Sequence, residues 1–561
     1  MKKTNFAIAI AALLPIAASA QSATDAYRLS GQDGRGTARF MAMGGAFTAL
    51  GGDLSTLNQN PAGIGVYRGS EIGFTIDINM MNNKSSQIGQ PLSMNKTHAD
   101  VNNFGYVGTF NIDSEIMKTI SWGVSYGRSK SFERQYSGYG MGLNSSLSNY
   151  IALMTDGIDP YRMMFYDNQS QLPAGLNLST PYNPYQNSDI NWLSILGFSS
   201  GVINPVVEVS ADNQGNPVSY LTDMYNGLFQ HPQQGLQGDP SQGTGEFTVR
   251  ERGYVDEYSI NIGGNLSNMI YWGLGLGITD LNYEQETYYS ESIQSANVPA
   301  GSSPIDGIRE GNCDWELNNA RKTTGTGVNL KLGLIFKPIN EFRLGFAVHT
   351  PTWYNLTTSY YGNILYGDEY GTQLNESTDD AYYDWKMKSP WKLMFGAAGV
   401  IGGRAIISAD YEYDAYGNMT TSDSYGDLDY VNQDIKDYFK AANTIRLGAE
   451  FRVTPQFSVR AGYAYTSTNV KAEAADGAIE VVTAGTNPAY TLDNDVNSIS
   501  FGLGYRFSGF YADAAFVHRN TSSKYHAFSN FKDYNGEWIS SPTAKVDFNS
   551  NQLVFTVGYK F

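Results

Sequence analysis

Period-two alternation dictates what this chain can fold into. At the C-terminus, Leu553, Phe555, Val557, Tyr559 and Phe561 share one parity. Gln552, Thr556, Gly558 and Lys560 occupy the other, with Val554 as the apolar exception. In 272–278, Trp272, Leu274, Leu276 and Ile278 oppose Gly273, Gly275 and Gly277. Phe342, Leu344, Phe346 and Val348 oppose Arg343, Gly345, Ala347 and His349, and the same pattern fills 445–453 and 498–507. Successive side chains of a strand point to opposite faces, so each run is a strand with one apolar face and one polar or glycine face.

A soluble sandwich alternates as well. Two features favour a transmembrane antiparallel β-barrel. The polar faces combine Arg with many glycines, as a lumen does. The joins also alternate in length, matching short periplasmic turns and long outer loops. About fourteen strands are expected over 70–561, an even number that leaves both termini on the periplasmic side. The joins at Lys337-Pro338-Ile339-Asn340, Ile401-Gly402-Gly403, Thr454-Pro455 and Phe507-Ser508-Gly509 are tight, and 113–119 and 267–269 are short. Those at 81–99, 133–253, 285–322, 360–381, 416–440, 469–493 and 521–547 read as long, with 133–253 the principal extracellular loop. Lipid cannot hydrogen-bond an open sheet edge, so the first and last strands must pair.

The N-terminus agrees with export. Lys2 and Lys3 precede an apolar run from Phe6 to Ala18, and Ala18-Ser19-Ala20 fits a cleavage site, so 1–20 reads as a signal peptide. Its removal takes the net charge from −17 to −19, which argues against nucleic acid as a partner. After residue 20 no apolar run reaches the ~18 residues of a membrane helix. The single cysteine, Cys313, excludes an intrachain disulfide. The expected location is the outer membrane of a diderm bacterium.

Residues 21–69 do not read as strands. Ala46 to Leu50 suits a short helix between the pairs Gly44-Gly45 and Gly51-Gly52, and Asn60-Pro61 marks a turn. The run Met43-Gly44-Gly45-Ala46-Phe47-Thr48-Ala49, followed by Asn60-Pro61-Ala62-Gly63, resembles the N-terminal signature of the FadL/TodX family, outer-membrane transporters of long-chain fatty acids and other hydrophobic compounds. Arg446-Leu447-Gly448-Ala449-Glu450-Phe451-Arg452 and Val459-Arg460-Ala461-Gly462-Tyr463 also look familial, and the strand ending at Phe561 is similar to the signal read by the barrel-assembly machinery. The resemblance implies an N-terminal hatch, 21–69, inside the lumen, with Gly44, Gly45, Asn60, Pro61, Ala62 and Gly63 as hatch residues. It also implies loop capture, hatch rearrangement and a lateral exit at a kink in the third strand. Gly123 or Gly127 would allow that kink, or both are simply lumen-facing glycines.

Two sets of residues are candidates for contact with a hydrophobic small molecule. In the long loop, Leu147, Ile151, Met154, Trp192, Leu196 and Phe198 form either a small loop core or an adaptable capture groove. In the lumen, Arg343, Arg446, Arg452, Arg460, Arg506 and Lys560 either hold a carboxylate headgroup, with Arg446 and Arg460 foremost, or pair with acids such as Glu450. The five histidines are scattered without metal-ligand spacing, and no catalytic motif appears. No enzyme activity, catalytic residue, metal or cofactor is therefore expected. The expected function is passive uptake of hydrophobic molecules, foremost long-chain fatty acids, with outer-membrane lipid and the assembly machinery as further partners. A protein-interaction barrel (a secretion-system shuttle or surface anchor) and uptake of haem or an aromatic compound, to which His231 points, remain as alternatives.

Overall fold

The computed structural model describes residues 21–86, 92–112, 114–143, 145–173, 176–187, 189–211, 214–231, 235–236, 243–533 and 536–561. The expected signal peptide, 1–20, lies outside the described residues.

Fourteen antiparallel staves close into a barrel. The first seven are β1 (Glu71–Ser86), β2 (Leu92–Asn111), β3 (Met117–Ser131), β4 (Gly243–Leu266), β5 (Ile270–Pro299), β6 (Ile308–Ile339) and β7 (Phe342–His349, continued by Trp353–Asp368). The others are β8 (Ala381–Lys388 with Lys392–Ile401), β9 (Ala405–Asp414), β10 (Ala442–Arg452), β11 (Phe457–Thr466), β12 (Tyr490–Phe507), β13 (Phe510–His526) and β14 (Thr543–Lys560). β14 closes on β1 along an unbroken register from Glu71↔Lys560 to Ser86↔Lys545.

The alternating residues face outward as an apolar belt. On β1 it runs Ile72, Phe74, Ile76 to Met80, on β5 Leu274, Leu276 and Ile278, and on β12 Ile499, Phe501, Leu503 and Tyr505. About nine residues of β1 lie within it, which is the ~9–11 a tilted strand needs to cross the hydrocarbon. Phe507, Phe510, Tyr559 and Phe561 extend it at the short-turn end, where an aromatic girdle sits. A closed barrel with this belt is an outer-membrane protein. Among the described residues no helix is long and apolar enough to cross a membrane.

Above the belt the apolar face inverts. On β5 the outward residues have even numbers up to Ile278, which is 43% exposed, whereas the apolar residues beyond have odd numbers and point inward: Leu281 (1% exposed), Tyr283, Tyr289 and Ile293. On β6, Leu330 and Leu332 face lipid while Trp315 and Leu317 are buried inside. On β14, Phe555 and Val557 face out and Val546 and Phe548 face in. Each stave thus leaves lipid and enters water, where apolar side chains are sheltered only on the inner face.

This inversion corrects several expected joins. The loop read at 285–322 is largely strand, and that at 521–547 is strand at both ends, because β5, β6, β13 and β14 continue far beyond the belt. The join read at 81–99 reduces to 87–91, which lies outside the described residues. Within 133–253, Arg134–Gly142 and the start of β4 are also strand. The remainder folds over the extracellular mouth as a cap, with helices that sit on a shared apolar core.

Candidate functional site

Residues 21–69 run through the lumen. α1 (Ala23–Ser30) opens on a capping box between Ser22 and Asp25. α2 (Ala38–Ala42) is capped by Thr37. α3 (Thr56–Gln59) leads through Asn60 into a 3₁₀ turn, Pro61–Val66. The Asn60 side chain donates to Thr48 O at 2.6 Å and accepts from Ala62 N at 3.1 Å, so one amide ties two turns. Gly44 and Gly45 take φ of 62° and 77°, the left-handed region that favours glycine, and Gly44 lies against the main chain of Tyr463 and Leu447.

The wall receives this segment on a socket of glycines. Gly105, Gly73 and Gly558 are directly paired across β2, β1 and β14. Gly263, Gly273 and Gly333 are paired across β4, β5 and β6, Gly345 with Gly396, and Gly448 with Gly462. A Cβ at Gly273 would overlap Pro61 O, at Gly333 Asn60 Oδ1, at Gly345 Thr48 O and at Gly462 Gly44 N. The wall therefore lacks side chains where the plug main chain touches it. Polar anchors surround the socket. Ala38 N donates to Thr556 Oγ1 at 2.7 Å, and Thr48 N to Asp410 Oδ2 at 2.8 Å. His349 Nε2 lies 2.8 Å from Gln59 O, and since a carbonyl only accepts, Nε2 carries the hydrogen. Arg39 and Arg460 both bond Glu450, at 2.8 and 2.7 Å, and Arg460 also reaches Asp513 at 2.6 Å.

Between residues 27–59 and the barrel wall lies a chamber of about 390 Å³. Its lining is strongly charged. Arg446 pairs with Glu412 at 2.9 Å, Lys392 with Glu412 and Asp414 at 3.2 and 3.3 Å, and Arg519 with Asp33 at 3.1 Å. Ordinary small-molecule pockets are mostly apolar. This chamber is instead lined by ion pairs.

The chamber reaches a break in the wall. β2 and β3 pair from Asn103↔Gly127 to Asn111↔Thr119. Beyond Asn103, β2 pairs with β1 alone. The third stave turns inward: its continuation, Arg134–Gly142, pairs with β4, and its main chain accepts hydrogen bonds from Asn83 and Ser85 of β1. The β3–β4 register slips between Arg128 and Lys130. Gly127 is the last residue of β3 paired with β2, whereas Gly123 lies within that ladder and contacts Ile64 of the plug. Among the described residues, side chains rather than ladder hydrogen bonds span the break. Arg128 meets Asp100 at 2.6 Å, and Lys96 meets Glu133. Because Thr97 pairs with Met80, the upper end of the belt on β1, the break lies in the outer half of the belt. Asn103, Gly127, Arg128 and Glu133 line the chamber.

The loop candidates lie in the cap. α4 (Leu147–Thr155) and α5 (Trp192–Ser199) bury Leu147, Ile151, Leu196 and Phe198 against one another and against Tyr289, Ile293 and Trp315 of the upper wall. Met154 and Trp192 pack at the margin, Trp192 edge-on to Tyr360 at 5.1 Å. These six form a core rather than an open groove, and they are not brought together with Arg446 or Arg460. Glu291 fastens α4, accepting from Leu147 N at 2.8 Å, Tyr289 OH at 2.7 Å and Trp315 Nε1 at 3.2 Å. Sequence reading missed Glu291 because it sits in a stretch read as loop. It also missed Asp410, Glu412 and Asp414, which the inward parity of β9 would have revealed. The side chain of His231 lies outside the described residues.

A plug on a glycine socket inside a fourteen-stave barrel invites comparison with solved structures. A Pseudomonas aeruginosa FadL homologue matches over 94% of this chain and 99% of that chain, with 12% identity and a TM-score of 0.51. The chain has the FadL fold. Other barrels match with lower scores. The P. putida toluene transporter TodX is covered over 95% of this chain and 99% of that chain, at 13% identity and a TM-score of 0.45. The Ralstonia pickettii toluene transporter TbuX is covered over 95% and 100%, at 12% and 0.41. No family model and no curated protein matches the sequence. Inside this barrel, Asn60, Pro61 and Ala62 lie at the contact of 21–69 with β5 and β6.

Proposed function

We propose that this protein takes up hydrophobic small molecules bearing a polar head across the outer membrane, with long-chain fatty acids as the leading substrate. The break beyond Asn103↔Gly127 carries this reading, because it joins a luminal chamber to the lipid belt without a hydrogen-bonded wall between them. The charged chamber would hold a carboxylate through Arg446 or Lys392, and the apolar tail would leave through the break. Movement of the plug, with its hatch residues Gly44, Gly45, Asn60, Pro61, Ala62 and Gly63, would open the periplasmic side. Chemistry is not required for such passage, and a catalytic constellation was not expected from the sequence.

The test uses Lys96→Cys with Glu133→Cys in a Cys313→Ala background, closed by a thiol-reactive cross-linker. Labelled oleate uptake by cells carrying this variant should fall on cross-linking and persist in either single variant. Uptake indifferent to the cross-link would refute the lateral path. Uptake by a deletion strain equal to that of the parent would refute the fatty-acid substrate.

A further inference from the structure

A second cavity, of about 360 Å³, lies beneath the plug at the short-turn end of the barrel. Its lining carries cations from two sources, Arg39 and Arg68 of the plug segment and Arg343, Arg506 and Lys560 of the wall. None of its lining residues is a carboxylate. Arg39 and Lys560 have acids elsewhere, Glu450 at 2.8 Å and Glu71 at 3.0 Å. Among the described residues, Arg68, Arg343 and Arg506 make no ion pair. Arg343 donates to Leu50 O at 2.7 Å, and its Nε is buried without a partner. Leu50, Val66, Val400 and Ile406 supply an apolar floor.

Gathering guanidinium groups without counter-ions costs free energy, and an anion between them relieves it. An inorganic anion would satisfy the arginines but leave the floor uncovered. We propose that this vestibule binds an amphipathic anion, its head held by Arg343, Arg506 and Arg68 and its tail laid on Leu50, Val66 and Ile406. The site would receive the transported molecule below the plug. That role rests on the uptake reading, whereas the binding itself does not.

The test is calorimetric titration of the full chain in nanodiscs of zwitterionic lipid, with octanoate, octanol and inorganic phosphate as probes. Arg68→Gln with Arg506→Gln is the informative variant, since neither side chain bonds the plug, and Arg343→Gln is the second. Octanoate should bind saturably and weaken by about tenfold or more in the double variant, while octanol changes by less than about twofold. Octanoate affinity unchanged in both variants would overturn the proposal. So would octanol losing as much as octanoate, or phosphate displacing octanoate at equal concentration. Octanoate binding that survives alongside failed cellular uptake would remove the transport reading and leave the site standing. Intact uptake without binding would do the reverse.

Discussion

Asn60 shows how much a single side chain can determine. Its amide donates to Thr48 O and accepts from Ala62 N, both within a fully buried turn. Asn60→Ala leaves two main-chain groups unsatisfied and should loosen the plug by ~1–3 kcal/mol. Hydrogen exchange over 44–63 would report the loss, and protection equal to that of the parent would refute it. Gly333→Ala tests the socket from the wall side. The new Cβ overlaps Asn60 Oδ1, so the plug must shift, at a cost of ~1–3 kcal/mol in thermal unfolding. Gly399→Ala, in a strand and with nothing closer than 3.9 Å to the new Cβ, controls for glycine loss alone. The glycine parity at Gly273 and Gly345 was legible in the sequence as a bare strand face. Which plug atom each glycine meets was not, because that depends on the tertiary path of residues distant in sequence. The same limit applied to Arg460. It could be read as luminal, but its commitment to Glu450 and Asp513 required three staves and the plug to be in place.

At the scale of elements, strands were legible where one face met lipid and faded where that ended. On β5 the reading stopped near residue 284, just after the apolar parity changes between Ile278 and Leu281. A period-two pattern with a phase change looks like no pattern. The cap core was visible only as apolar clusters at Leu147–Met154 and Trp192–Phe198, and the sequence could not say whether they face a ligand or one another. The join between β9 and β10 contains a titrating element, α6 (Asp429–Tyr438). Burial, reinforced by the neighbouring Asp437 carboxylate, pushes the Asp434 carboxyl up from 3.8 to about 7. The folded value lies above the unfolded one, so this contribution is complete below about pH 4 and is lost as pH rises through about 7. Local opening of α6, followed by hydrogen exchange, should therefore become easier from pH 4 to pH 7. Asp434→Asn should flatten that dependence, and an unchanged slope in the variant would contradict the assignment.

The whole molecule is a lumen closed at both ends, by the cap above and the plug below, with a side break between them. Closure, stave number and the plug segment were legible, because lipid demands a sealed sheet and because 21–69 lacked strand character. The break was foreshadowed only as a kink that Gly123 or Gly127 would allow, with lumen-facing glycines as the other reading. A ladder's end is a property of two strands together, and neither β2 nor β3 alone shows it. Deleting 147–199, which removes α4 and α5 from the cap, should leave a folded, heat-modifiable barrel while exposing Tyr289 and Trp315 to a polar quencher. A variant that fails to fold would instead assign the cap to barrel stability. The inversion of the apolar face along β5, β6 and β14 also acts as a waterline drawn on the chain itself. Removing one residue between Ile278 and Leu281 would turn Leu281, Tyr283 and Tyr289 to the outside and raise that line along one plank of the hull. Removing two would keep the parity and merely lower the freeboard. The vertical seat of this protein in its membrane is thus written as a single odd step in the numbering, rather than as a band of special residues.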